Sequence, residues 1–180
     1  DTNKEHTTFT AEKISYKFKN GNVGLHEINF QEESGGLIGI MGASGAGKST
    51  LLNVLNGNYA PTEGAVKING FDINDPLNKE KIEGVIGYVS QDDLLIEELT
   101  VFQNLFFNAK LCFGNQSDGQ IIRMVIKVLN ALGLYETKDL KVGSPLDKTI
   151  SGGQRKRVNI ALELIREPAV LFVDEPTSGL

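Results

Sequence analysis

An α/β fold is the expectation for this chain of 180 residues: a core with a mainly parallel sheet, a small N-terminal antiparallel β subdomain and a helical subdomain. Three observations lead there. The apolar runs Leu37 to Met41, Val85 to Val89 and Val170 to Val173 are too short for helices and too continuous for half-wet strands. They read as strands buried on both faces of a parallel sheet. Between them, apolar residues recur at helical spacing. Near the N-terminus, Phe9 to Phe30 alternates around the polar turn Asn20-Gly21-Asn22, which is a hairpin signal. Thr62 to Phe71, with Gly64 and Gly70, has the same character.

The helices can be placed in order. Leu51, Leu52 and Leu55 form a stripe that Gly57 ends. Thr100 followed by Gln103 is a capping-box pattern opening a segment with Val101, Leu105, Ala109 and Cys112 on one face. Ile121, Val125, Val128, Leu129 and Leu132 line another helix, stopped by Gly133. Val158, Ala161, Leu162 and Ile165 line a third. The chain is therefore expected to be a single domain over 1–180, with the β subdomain at about 7–35 and 62–73 and the helical one at about 94–150.

Composition narrows the function. With 40% hydrophobic and 23% charged residues the chain can bury a core and stay soluble. A net charge of -5, without a long block of like charges, points away from a nucleic-acid partner. Arg155-Lys156-Arg157 reads as a solvated helix face. No apolar run approaches the ~20 residues of a spanning helix. Cys112 is the lone cysteine, so no internal disulfide can form, as suits a reducing compartment.

Gly42-Ala43-Ser44-Gly45-Ala46-Gly47-Lys48-Ser49 fits G-x-x-x-x-G-K-[ST], after an expected strand and before an expected helix. This places the chain in the P-loop NTPase class of α/β folds. Glycines let backbone N–H groups turn inward around phosphate oxygens, and the helix N-terminus adds positive potential. Lys48 can reach the β- and γ-phosphates of ATP. The Ser49 hydroxyl can ligate Mg²⁺, a hard cation that prefers oxygen, and Thr50 joins the binding set at the helix start.

Val170 to Val173 runs straight into Asp174-Glu175. Carboxylates at the end of a buried strand need a compensating partner, and a metal supplies one. Asp174 is assigned to the Mg²⁺ coordination sphere, through water, and Glu175 to polarising the attacking water as general base. Ser151 caps an expected helix, and Gly152 and Gly153 expose N–H groups at its positive end, making a second anion site.

Taken together, these segments resemble the nucleotide-binding domain of ABC transporters. The loop at Gly42 resembles Walker A, and Phe172-Val173-Asp174-Glu175 resembles Walker B. Gln91, in Tyr88-Val89-Ser90-Gln91, is similar to the Q-loop glutamine, which implies catalytic and Mg²⁺-sensing roles. Ile150-Ser151-Gly152-Gly153-Gln154 resembles the LSGGQ signature with Ile for Leu, and Ser178-Gly179-Leu180 the start of the D-loop. Gln91-Asp92-Asp93, Leu99-Thr100-Val101, Asn104-Leu105 and Gly153 to Arg157 leading to Glu163-Leu164-Ile165 look like the ABCG, or White, group. Many eukaryotic members of that group carry Glu where Gln154 stands, so a bacterial relative fits at least as well.

The resemblance implies a mechanism. Two such domains, in a homo- or heterodimer, sandwich two ATP molecules, each phosphate loop facing the partner's signature residues Ser151, Gly152, Gly153 and Gln154. It also implies a transmembrane domain, C-terminal in the same chain, and a place on the cytoplasmic face of an inner or plasma membrane. Adenine is expected to stack on an aromatic residue upstream of Walker A, for which Phe18 and Tyr16 are the candidates. The family's switch histidine follows Walker B, whereas His6 and His26 both precede Walker A. The domain is thus expected to be incomplete here, binding ATP weakly, hydrolysing it poorly and exposing an apolar sheet edge. A soluble ABC ATPase of translation or DNA repair is the alternative. The single cysteine and the lack of a heptad insertion between Lys48 and Gln154 favour transport.

Overall fold

In a computed structural model that describes residues 6–34, 38–43, 46–90, 92–147 and 149–175, the chain divides into two units. One comprises Asp1–Gln91 with Pro168–Leu180, the other Asp92–Glu167. The mixed α/β architecture has an antiparallel sheet, a parallel sheet and helices.

In the first unit, β1 (Thr7–Lys17) pairs antiparallel with β2 (Val23–Ser34) and with β4 (Glu63–Ile68), and β4 pairs with β5 (Phe71–Asp72). The order is β2-β1-β4-β5. Asn69 and Gly70 both take positive φ, as a two-residue turn between right-twisted strands requires. The alternation along β1 slips by one residue. Phe9 and Ala11 face the core, then Ile14. The slip is a bulge in which Lys13 and Glu27 both adopt left-handed backbone, and the register to β2 shifts between Ala11 and Ile14.

The parallel sheet has β7 (Val170–Glu175) between β3 (Ile38–Ala43) and β6 (Ile86–Val89). Val170, Leu171, Phe172 and Val173 are all buried, as expected of a strand covered on both faces. Gly39 on β3 is exposed, so that edge strand is less fully covered than its apolar run suggests. The ring of Phe172 meets Phe9 edge-on at 5.7 Å between centroids, fastening one sheet to the other. α1 (Ala46–Leu55) follows β3 and adds Leu52, Val54 and Leu55 to the same core. Gly57, with φ +89°, ends it in the left-handed conformation that suits a helix terminus. A short α2 (Lys79–Ile82), preceded by a 3₁₀ turn at Pro76–Asn78, connects β5 to β6.

The second unit packs α3 (Val101–Cys112), α4 (Asp118–Ala131) and α5 (Gly152–Leu164). Leu105, Ala109, Ile121, Val125, Leu129, Val158 and Ala161 form its fully buried centre. All three helices start with a reciprocal capping box: Thr100 with Gln103, Ser117 with Gln120, and Ser151 with Gln154. Each cap satisfies N–H groups that would otherwise lack partners, worth about 1 kcal/mol of stability.

One glycine is required by close approach as well as by φ. A Cβ on Gly64, at φ +84°, would sit 2.3 Å from the Glu12 carbonyl oxygen and 2.4 Å from that of Lys13. At Gly70, φ is +83° but nothing lies within 4 Å. Gly70→Ala is therefore expected to cost about 1–2 kcal/mol, the left-handed penalty alone. Gly64→Ala should cost clearly more, because backbone must also move; urea denaturation of the two variants side by side checks the ranking.

Candidate functional site

The three parallel strands bring their C-terminal ends together. Across β3 and β7, Met41 pairs with Val173, Gly42 with Asp174 and Ala43 with Glu175. Across β6 and β7, Tyr88 pairs with Phe172 and Val89 with Val173. The start of the glycine loop thus lies directly beside the acidic pair, and the strand leading to Gln91 ends on the other side. In open α/β sheets this is the edge where ligands bind. The Tyr88 hydroxyl donates to Asp174 Oδ2 at 3.3 Å, which orients that carboxylate. Tyr88 lies two residues back from Asp174 in register, a reach that the motif spacing does not reveal.

Ser44, Gly45, Gln91 and the segment Ser178-Gly179-Leu180 lie outside the described residues. For Gly42, Ala43, Ala46, Gly47, Lys48 and Glu175 only the backbone is described. Ser49 is half-buried and Thr50 is buried in the first turns of α1. Asn53 donates to the Ser49 carbonyl at 2.8 Å, one turn back along the helix.

The two aromatic candidates stand on one run of rings. Tyr16 stacks on Tyr59 at 5.3 Å and 12°, and meets Phe18 edge-on at 5.2 Å. Phe18 lies over Gly24, where a Cβ would come within 2.8 Å of its ring and 3.1 Å of the Thr50 methyl. The fold therefore carries Phe18 to the flank of α1, thirty residues downstream in the chain. Phe18 keeps 39% of its surface exposed, whereas one face of Tyr16 is taken by Tyr59.

In the second unit Ser151, Gly152 and Gly153 are exposed at the start of α5. Ser151 Oγ accepts from the Gln154 N–H at 3.0 Å, and Gln154 Oε1 accepts from the Ser151 N–H at 2.8 Å. The capping box occupies those two oxygens. The N–H groups of Gly152 and Gly153, in the first turn of α5, face the open end of the helix, the arrangement an anion selects. A Cβ on Gly152 would meet nothing within 4 Å, and one on Gly153 only Ser151 Oγ at 3.9 Å.

Arg155 corrects the expectation of a solvated basic face. It is buried, with Nε and Nη2 at 2.8 and 2.7 Å from Asp93 Oδ2. Its Nη1 donates to the carbonyls of Val142 and Gly143 at 2.9 and 3.0 Å. Asn159, one turn further on, donates to Asp93 Oδ1 and accepts from the Leu94 N–H. Sequence reasoning missed this cluster. Its members lie up to 66 residues apart, and no periodicity links them.

The donor set fits Mg²⁺-ATP. Hard oxygen at Asp174 lies in register with the loop that starts at Gly42, and a helix N-terminus follows that loop. The family model described as ABC transporter matches residues 25–178, a span that includes the phosphate loop, Gln91, the segment Ile150 to Gln154 and the acidic pair. This chain belongs to the ABC transporter family. It is an ABC transporter ATP-binding domain, of a class that binds nucleotide, normally with Mg²⁺.

Its relatives narrow the group. It is 40% identical to an ABC transporter G family member STR of Medicago truncatula over 159 residues, 87% of this chain and 19% of that protein. An ABC-type transporter, claG, of Penicillium crustosum is 40% identical over 82% of this chain and 19% of its own length. A probable ATP-dependent permease of Saccharomyces cerevisiae is 37% identical over 96% of this chain and 17% of its own. The chain thus spans about a fifth of the length of these relatives. Among solved structures, cbiO1 of Clostridium perfringens, part of the ABC transporter complex cbiONQ, superposes with a TM-score of 0.76 at 32% identity. That superposition covers 96% of this chain and 66% of the other. Among the described residues no helix is long and apolar enough to cross a membrane.

Burial opposes ionisation of Asp93, but hydrogen bonds from the Leu95 N–H, Arg155 and Asn159, with the charge of Arg155, outweigh it and hold the carboxyl below its ordinary range. A folded pKa below the unfolded one means the contribution is complete above the unfolded value and is lost as pH falls through the folded one. The domain should therefore lose stability on acidification below about pH 4. Asp93→Asn should flatten that part of a denaturation-against-pH profile.

Proposed function

We propose that this chain is the ATP-hydrolysing engine of a membrane transporter, working as one half of an ATP sandwich. The observation that carries the reading is the pairing of Gly42 with Asp174 on adjacent parallel strands. It sets a phosphate-holding loop and a pair of carboxylates at one sheet edge. That is the minimum a phosphoryl-transfer site needs, since such catalysis rests mainly on positioning and charge stabilisation.

In this reading, N–H groups of the loop from Gly42 to Gly47 cradle the phosphates of ATP, with Lys48 on the β- and γ-groups. Ser49, Gln91 and Asp174 hold Mg²⁺, which when bound offsets phosphate charge. Tyr88 keeps Asp174 aimed by its hydroxyl hydrogen bond. Glu175 accepts a proton from water as the water oxygen bonds to the γ-phosphorus and the bond to the ADP oxygen breaks. Adenine stacks on Phe18, whose exposed ring beside Thr50 makes it the better platform, and Tyr16 with Tyr59 braces that ring.

Ser151, Gly152 and Gly153 of a second nucleotide-binding domain complete the site across a homo- or heterodimer. Triphosphate then joins two surfaces, and hydrolysis removes the bridging charge, a two-state device that can drive a transmembrane domain. The relatives, among them a probable ATP-dependent permease and G-family ABC transporters, support that coupling. The complete protein would act at the cytoplasmic face of a membrane.

Glu175→Gln is expected to lower ATP turnover by about a hundredfold or more while ATP still binds. Lys48→Ala should lose both. Normal turnover in the Glu175 variant, measured by phosphate release, would remove Glu175 from its role. Phe18→Ala should weaken ATP binding by about tenfold, the value of one base–aromatic stack. A larger loss from Tyr16→Ala in the same titration would reverse the assignment.

A further inference from the structure

The segment from Asp93 to Ile96 has no regular secondary structure, yet it is tied down on two sides. Asp93 Oδ1 accepts from the Leu95 N–H at 3.1 Å, and Asn159 Oδ1 on α5 accepts from the Leu94 N–H at 3.1 Å. Asn104 on α3 grips Ile96 at both backbone groups, accepting from its N–H at 2.8 Å and donating to its carbonyl at 3.2 Å. Leu95 is buried among these bonds. Side chains thus replace the ladder that a strand or helix would have supplied.

The strongest member of this set is the ion pair. The Arg155 side chain is 10% exposed and that of Asp93 31%. Arg155 follows the capping box directly, so a cation stands in the positive first turns of α5, where the helix field disfavours it. Burying it costs solvation as well, and an apolar residue of similar volume usually supports a fold equally well. Stability alone therefore does not account for the pair. Placement does: its fork ties two segments to the start of α5, that at Asp93 and the turn at Val142 and Gly143. Asn159 adds a parallel tie one turn on, with its amide also donating to the Arg155 carbonyl at 3.0 Å.

We propose that Asp93 and Arg155 are positioning residues for ATP hydrolysis, clamping the segment just after Gln91 to the first turns of α5 so that Ser151, Gly152 and Gly153 are held at one orientation. The proposal rests on the ATPase reading above. Gln91 precedes Asp93 by two residues in the sequence. On this proposal the clamp holds the N–H groups that face the γ-phosphate bound by the partner, and neither residue needs to contact nucleotide itself. Their loss should slow turnover without weakening ATP binding.

The test uses the full-length protein with wild type, Lys48→Ala, Asp93→Asn and Arg155→Lys. Asp93→Asn keeps the size and the acceptor for Leu95 but removes the charge, and Arg155→Lys keeps the charge but loses the fork. Breaking a buried pair lowers stability, so kcat is taken at a temperature where circular dichroism shows each variant folded; each is expected to lower it about tenfold, the scale of a small misplacement, with KM for ATP within about twofold. Wild-type kcat in both variants overturns the clamp. So does a loss of kcat that only follows the loss of folded protein, including failure of both to fold. If the wild type itself shows no more turnover than Lys48→Ala, the ATPase reading fails and the clamp falls with it.

Discussion

The register in which β3 lies against β7 governs the first unit. Val170 and Phe172 point into the shared core, where Phe172 meets Phe9 and is completely buried. A slip of one residue would turn Phe172 to the other face and forfeit that packing, since side chains alternate along a strand. The same slip would carry Asp174 away from Gly42. Core packing thus fixes the spacing between loop and carboxylates, and the chemistry inherits its precision from apolar contacts. β6 is held to the same strand, so the peptide entering Gln91 reaches the same edge.

The second unit solves a different problem. Its apolar centre is made by three capped helices, but the segment from Asp93 to Ile96 and the turn at Val142 and Gly143 are irregular. Several backbone groups there are satisfied by Asn104, Arg155 and Asn159, while the N–H groups of Val142 and Gly143 donate to the carbonyls of Leu99 and Glu97. Such polar clusters cost desolvation, and they reward only one geometry. The start of α5 is thereby specified in position, and its capping box leaves the N–H groups of Gly152 and Gly153 at the open end of the helix.

Much of this was legible in the sequence. The phosphate loop, the capping box at Thr100, the helix cap at Ser151, the hairpin turn at Gly21 and the apolar run into Asp174-Glu175 each lie within a few residues, and each follows from local sterics or hydrogen bonding. Arg155 was misread because three adjacent basic residues look alike in sequence. The helix turns only one of the three toward Asp93, and α5 buries that one. The slip in β1 was also hidden, because alternation was read over Phe9 to Phe30 as a whole, and the step of three from Ala11 to Ile14 is explained only by the left-handed Lys13.

The sequence by itself determined the family, the order of the strands and helices along the chain, and the residue types at each motif. These depend on neighbours in the chain, whose contacts are set by backbone geometry. Only the tertiary structure decided that Gly42 pairs with Asp174, that Phe18 rather than Tyr16 keeps an exposed ring beside Thr50, and that Asp93 is the partner of Arg155. A strand edge, an aromatic face or a guanidinium carries no address for a partner 32 to 132 residues away. The choice is made collectively, by which pairings let the whole core close.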